Sequence, residues 1–244
     1  MSPVHLILGA SGGIGSALCR SLRAQGATVV PAARPSERLD ALAAELDAAP
    51  RTLDATRIEE VDGLVRSVAE EHGRLDGVAN LVGSILLKPA HRTSEEEWRG
   101  VLAANLDTAF ATVRAAGAAM RKGGGSIVLM SSAAGRLGLP NHEAIAAAKA
   151  GVIGLGLSAA ASYASRGIRV NVVAPGLVRT PLSEPVLRSP ASEQASLAMH
   201  PLKRLGEPED VARAISWLLD PEQAWVTGQV LGVDGGLGSV RSQG

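Results

Sequence analysis

Lys149 is the only charge in an apolar run that extends from Ala144 to Ala164, within a stretch reading NHEAIAAAKAG from Asn141. One helical turn before it, where a proton-exchanging partner would sit, stands Ile145, which can neither give nor take a proton. A second chemically suggestive stretch lies near the start, where Gly9-Ala-Ser11-Gly-Gly13-Ile14-Gly15 follows a short apolar run and opens a helical pattern. Glycines let a backbone turn tightly and approach a ligand closely, and a helix N-terminus offers unpaired N–H groups and a positive dipole end to a pyrophosphate. A glycine-rich loop alone is a weak signal, since most are plain turns. Between a strand and a helix in a β-α-β unit of about 30 residues, it has the setting a dinucleotide site requires.

The run that follows ends at Ala32-Ala33-Arg34. An acid there would hold the ribose 2′-hydroxyl of NAD, whereas an arginine accommodates the 2′-phosphate of NADP. Arg34, followed by Ser36 and Arg38, favours NADP (NADPH over NADH), the alternative being a solvated loop arginine.

The elements that must position these residues alternate along the chain. Short apolar runs at 4–8, 27–31, 77–82, 126–130, 169–174 and 230–233 read as strands, with a weaker strand signal at 51–53. Helical patterns occupy 14–25, 38–46, 58–72, 94–121, 144–165 and 207–219. Strands that are apolar throughout are expected where helices cover both faces of a sheet. The β-α-β-α order then predicts an α/β fold, a doubly wound parallel sheet in a single domain spanning 1–244, with ligands at the carboxyl ends of the strands. The helices at 94–121 and 144–165 are apolar or small almost all round, which predicts burial on every side and a homo-oligomer, dimer or tetramer, formed through them.

Composition narrows the function further. Lysine plus arginine and aspartate plus glutamate both total 24, so no net charge argues for nucleic acid or an anionic membrane as a partner. The single cysteine, Cys19, rules out a disulfide framework and a thiolate metal cluster, and no metal site is expected. The N-terminal residues lack a basic segment, and no stretch is expected to cross a bilayer without an interrupting charge, so a cytoplasmic location is expected. Aromatics are only 2% of the chain, so the core must be closely packed aliphatic and small residues.

Taken together, the Gly9-x3-Gly13-x-Gly15 spacing, Asp54, NLVG at 80–83, Asn105, Ser131-Ser132, Lys149, Pro175-Gly176 with Thr180, RLGEPEDVA and VTGQVLGVDGG resemble the short-chain dehydrogenase/reductase family over essentially the whole chain. The resemblance implies a Rossmann fold and a nicotinamide dinucleotide. Gly9, Ser11, Gly13, Ile14 and Gly15 match positions around the diphosphate, Asp54 the acid at the adenine, and Asn80 and Gly83 the motif beside the adenosine ribose. Pro175, Gly176 and Thr180 match the segment at the nicotinamide, and 179–206 matches a substrate-covering loop, whose composition suggests an irregular lid.

The family's catalytic set is Asn, Ser, Tyr and Lys. Asn105, Ser132 and Lys149 fit it, while the tyrosine position, thirteen residues after Ser132 and four before Lys149, holds Ile145. The only tyrosine, Tyr163, lies out of register on the same helical run. By this resemblance Lys149 holds the nicotinamide ribose, and the general acid is missing. His142 is a candidate replacement acid by proximity, against a solvated residue at a helix start; Glu143 reads as a first-turn acid. Ser84, Ile85, Leu86 and Leu137 suggest a mostly apolar wall for a small-molecule substrate. Three readings stay open. One is an NADP-dependent oxidoreductase, acting on a small carbonyl, alcohol or related acceptor, with non-standard proton delivery. Another is a nucleotide-binding pseudoenzyme or partner subunit, and the third a non-redox lyase or isomerase.

Overall fold

The computed structural model describes residues 2–240 of the chain. Seven strands form one parallel sheet in the order β3-β2-β1-β4-β5-β6-β7. They are β1 Val4–Leu8, β2 Thr28–Ala33, β3 Arg51–Thr52, β4 Gly77–Asn80, β5 Gly125–Met130, β6 Ile168–Pro175 and β7 Val230–Val233. The chain winds outward from β1 through β2 to β3, then crosses back to β4 and winds the other way. The resulting switch point lies between β1 and β4, the place where an open parallel sheet leaves a crevice.

Eight α-helices, among the described residues, cover the sheet: α1 Gly13–Ala24, α2 Glu37–Glu45, α3 Ile58–His72, α4 Glu95–Leu102, α5 Thr108–Ala119, α6 Glu143–Tyr163, α7 Pro190–Met199 and α8 Pro208–Leu219. Successive strand residues point to opposite faces, so each strand feeds two cores. Leu6 and Leu8 of β1 and Ile127 and Leu129 of β5 pack with Val61 and Val65 of α3 and Val152 of α6. Ile7 and Val128 pack on the other face with Leu18 of α1, Leu39 of α2 and Ile215 of α8. With so few aromatics, density comes from close approach. A Cβ on Gly156 would lie 2.4 Å from Val172, so α6 lies almost directly on β6.

Two helices differ from expectation. The pattern at 94–121 is not one helix but α4 and α5 joined by a π-helical segment, Ala103–Asp107. The flanking pattern is apolar on both sides, and the join itself, Ala-Ala-Asn-Leu-Asp, is marked only by its polar residues. Polar side chains accompany it: Asn105 Nδ2, inside the join, donates to Val101 O at 2.9 Å, and Thr108 Oγ1, just after it, donates to Ala104 O at 3.1 Å, supplying bonds to carbonyls of the preceding turn. The segment 179–206 is not irregular throughout, because it contains α7. Ser189 caps that helix by accepting from Ser192 N at 3.1 Å, and Pro190 occupies its first turn. Both are helix-start residues as well as loop residues.

The run Glu143–Arg166 is, by length and composition alone, long and apolar enough to cross a bilayer despite Lys149, contrary to expectation. In the fold it packs against β6, α4 and α5 as a core helix. Neither α5 nor α6 is buried all round in the single chain: Phe110 and Leu157 are 48% and 46% exposed.

Candidate functional site

A cavity of about 730 Å³ opens along the carboxyl ends of the strands and is lined by residues following β1, β2, β4, β5 and β6. Its floor at β1 is the loop Gly9 to Gly15, and this part is made by backbone. Gly9 has φ +83°, in the left-handed region where glycine is favoured. A Cβ on Gly15 would lie 2.3 Å from Gly9 O, so the turn closes only without a side chain. Gly12 stands at the N-terminus of α1, and no side chain caps it. The first N–H groups of α1 are left to an anion, and Ser11, Gly13 and Ile14 line the cavity with them. Thr180 closes this end from above, its Cγ2 2.9 Å from where a Cβ on Gly13 would be. The cradle therefore fits a pyrophosphate: it is concave, formed of glycine backbone and set on a helix dipole.

Beyond β2, Arg34, Ser36, Glu37 and Arg38 line the same cavity. Ser36 Oγ caps α2 by accepting from Leu39 N at 3.3 Å. Glu37 is an acid that the strand end does not reveal, because it opens the next helix, α2. The wall near the expected ribose thus carries two guanidinium groups and one carboxylate.

Asp54 and Asn80 are not among the lining residues. Asp54 is exposed, and its carboxylate accepts from Thr56 Oγ1 at 2.7 Å and Thr56 N at 3.0 Å, bonds that hold its pKa below the usual range. Asn80 is buried at the end of β4, where its Oδ1 accepts from Val82 N at 3.0 Å. It shapes the turn that carries Leu81, Val82, Gly83 and Ser84 into the wall.

The other end of the cavity is assembled from side chains on separate elements. Asn105, in the π segment, donates from Nδ2 to Ser84 Oγ at 2.9 Å and accepts at Oδ1 from Ser84 N at 3.2 Å. Ser132 follows β5 and accepts from Ala134 N at 3.2 Å, so it turns the chain while lining the cavity. Lys149 is 6% exposed, and its Nζ donates to Met130 O at 2.9 Å. Ser131 Oγ donates to Lys149 O at 2.8 Å and ties β5 to α6. Burial, with no charged neighbour to offset it, pushes the Lys149 ammonium down to about 8. A Cβ on Gly83 would lie 2.8 Å from Asn105 Oδ1 and 3.4 Å from Lys149 Nζ, so glycine lets these groups converge.

Ile145 lines the cavity one turn from Lys149 and packs in a cluster with Val101, Ala144 and Ala148, against which Trp98 and Leu86 lie. The titratable cavity-lining side chains are Arg34, Glu37, Arg38 and Lys149. His142 is half-buried outside the wall, with Nδ1 2.7 Å from Pro140 O. Leu86 and Leu137 also lie outside it, whereas Ser84 and Ile85 are within it. Tyr163 ends α6 against Gly117, away from the cavity, and Cys19 is fully buried, its thiol pushed up to about 12 by desolvation.

Comparison with known proteins agrees with this architecture. A family model described as enoyl-(acyl carrier protein) reductase matches residues 9–238. The chain is 38% identical over 240 residues to a 3-oxoacyl-[acyl-carrier-protein] reductase of Thermotoga maritima, covering 96% of this chain and 97% of the relative. It is also 38% identical over 244 residues to a cis-4-hydroxycyclohexanecarboxylate dehydrogenase of Sinomonas cyclohexanicum, covering 97% of each. A solved short-chain type dehydrogenase/reductase from Mycobacterium ulcerans superposes with a TM-score of 0.92 at 32% identity, covering 99% of this chain and 92% of that one. With sequence and fold matching end to end, this chain belongs to the short-chain dehydrogenase/reductase family of oxidoreductases.

Proposed function

We propose that the protein is an NADP-dependent oxidoreductase acting on a small carbonyl, alcohol or related acceptor, with proton delivery altered because Ile145 stands where the family has its tyrosine. The observation that carries this reading is convergence: Asn105, Ser132 and Lys149 line one cavity with an uncapped, glycine-built helix N-terminus. The cradle of Gly9, Ser11, Gly13, Ile14 and Gly15 would hold the diphosphate, Arg34 and Arg38 the 2′-phosphate, and Lys149 the nicotinamide ribose. Pro175, Gly176 and Thr180 would flank the nicotinamide. Bound there, the dinucleotide supplies or accepts a hydride. Asp54 and Asn80 support the adenosine end from outside the wall.

The chain's own task is then to manage a proton. Only Lys149 among the titratable wall residues belongs to the end where Asn105 and Ser132 meet. A proton for an alkoxide must come from Lys149, from water relayed past Ser132, or from the substrate. An iminium, which becomes a neutral amine on taking a hydride, needs no proton and suits this wall, whereas a conjugated acceptor gives an enolate that takes its proton on carbon from water. Loss of a positioned acid costs about 10²–10⁴-fold in rate. That cost, and the apolar cluster around Ile145, favour a second reading: a nucleotide-binding pseudoenzyme or partner subunit. In either reading the exposed Phe110 of α5 and Leu157 of α6 suit a contact with a second copy of the chain.

The test is the dissociation constant for NADPH, with NADH in parallel, followed by calorimetry on the wild type and on Arg34→Ser. Tighter binding of NADPH, with the preference reduced about tenfold by the substitution, is expected from loss of a charge-assisted bond. No binding of either dinucleotide by the wild type removes the oxidoreductase reading.

A further inference from the structure

His200 follows the last turn of α7 and is 1% exposed. Its two ring nitrogens have different partners: Nε2 is 3.2 Å from Leu177 N, and Nδ1 is 2.7 Å from Ser196 O. A peptide N–H can only donate and a carbonyl can only accept, so the pair fixes the ring. Nε2 accepts from Leu177, and Nδ1 carries the proton donated to Ser196. One imidazole thus bridges the helix within 179–206 to the stretch after β6 that lines the cavity.

The surroundings are built around this ring. A Cβ on Gly176 would lie 2.6 Å from His200 Nε2 and 3.0 Å from Asp234 Cα. Only glycine lets the ring sit against the chain there. The backbone of His200 is held as well, since Lys203 N donates to its carbonyl at 2.8 Å, and Leu202 N donates to Gly235 O at 3.1 Å. On its other side, Leu177 O accepts from Gly206 N at 2.9 Å, which brings the two ends of the covering segment together.

Apolar packing does little to hold α7. Its sole buried residue is Ser196, and Met199 is 45% exposed. Apart from the exposed Arg179–Glu193 ion pair, the side-chain bonds of α7 are local to its own turns. An exposed pair of that kind contributes little. The two bonds of His200 are desolvated and therefore costly to leave unmade. Gly176 and Leu177 line the cavity, whereas His200 does not.

We infer that His200 is a positioning residue, a buried two-way latch that sets the Gly176–Leu177 wall of the cavity against the covering helix α7. The inference deepens the proposed function, since that wall is where the nicotinamide end of a dinucleotide and its substrate would meet. It assigns His200 no contact with either of them.

Three substitutions separate the two bonds. His200→Gln keeps an acceptor for Leu177 N, His200→Asn keeps a donor in reach of Ser196 O, and His200→Ala keeps neither. Hydrogen exchange read by mass spectrometry on the intact chain, without added ligand, reports both sides of the latch. In His200→Ala, exchange should accelerate at Leu177 and through 190–199; in His200→Gln, Leu177 should stay protected while 190–199 loosens. NADPH affinity should fall about tenfold in His200→Ala, the equivalent of one or two lost hydrogen bonds, and recover in His200→Gln. Unchanged exchange at Leu177 in His200→Ala overturns the inference. So does a His200→Gln protein that loses Leu177 protection as fully as His200→Ala, because ring volume rather than the bond would then be responsible. Failure of the wild type to bind NADPH would remove the functional reading while leaving the exchange pattern to decide on the latch.

Discussion

The two ends of the cavity are made of different materials. Under β1 the wall is main chain: Gly9 in a left-handed conformation, Gly15 pressed against Gly9 O, and the bare first turn of α1. Under β5 it is side chains brought from four places, with Ser84 after β4, Asn105 from the π segment, Ser132 after β5, and Lys149 from α6. Backbone geometry tolerates change at its flanks but not at its glycines. The members of a side-chain constellation are held separately: Ile145 packs into its apolar cluster while Asn105 and Lys149 keep bonds of their own. One end is therefore specified by what is absent from the residues, the other by what they carry.

The largest effect should come from placing a proton donor at the side-chain end. Ile145→Tyr is expected to raise reduction of carbonyl substrates by about 10²–10⁴-fold, read as kcat/KM with NADPH. Substrates shown to bind yet not turned over faster would mean that the end has lost more than one group.

Gly15→Ala tests the backbone end. With a Cβ placed 2.3 Å from Gly9 O, the loop must shift. A loss of about 2–3 kcal/mol in urea unfolding is expected, together with loss of dinucleotide binding. Wild-type stability and affinity would show that this turn is not held as tightly as its contacts imply.

Lys149→Met sharpens the contrast through its pH dependence. The ammonium is lowered in the fold to about 8, from 10.5. Between those values the unfolded chain binds more protons than the folded one, so this residue makes stability rise with pH. Below about 8 the burial penalty is present in full, on the order of 3 kcal/mol. The substitution should stabilise the ligand-free protein at pH 7, lose that advantage by pH 10.5, and weaken NADPH binding throughout. Urea melts of both proteins at several pH values give the difference directly, and parallel curves would place the Lys149 cation in water.

The sequence carried the sheet because each strand is a compact apolar run and each helix a periodic one; β1 and α3 coincide with their expected spans. It carried the glycine cradle because the residues that build it are consecutive. Features made by contact rather than by order were less legible. The π segment lies between apolar helical stretches, and its signal is polar: Asn105 and Thr108 spaced to bond back to the preceding turn. Helix α7 was lost because Ser189 and Pro190 serve loops and helix starts alike. Glu37 is hard to read as part of the site because it belongs to the next helix, and it lines the cavity together with Arg34 and Arg38. His142 looked close to residue 145 along the chain yet stands outside the wall. His200 has no neighbour in the chain to announce it, since Leu177 lies twenty-three residues away.

The cluster around Ile145 has an optical consequence. Of the three tryptophans, Trp225 is 99% exposed and Trp217 45%, whereas Trp98 is partly buried against Val101, Ala144, Ile145 and Ala148. A water-borne quencher reaches the first two far more readily than the third. The light that survives quenching thus comes mainly from the indole beside Ile145, and the protein carries its own lamp at the wall that Ile145 shares with Lys149.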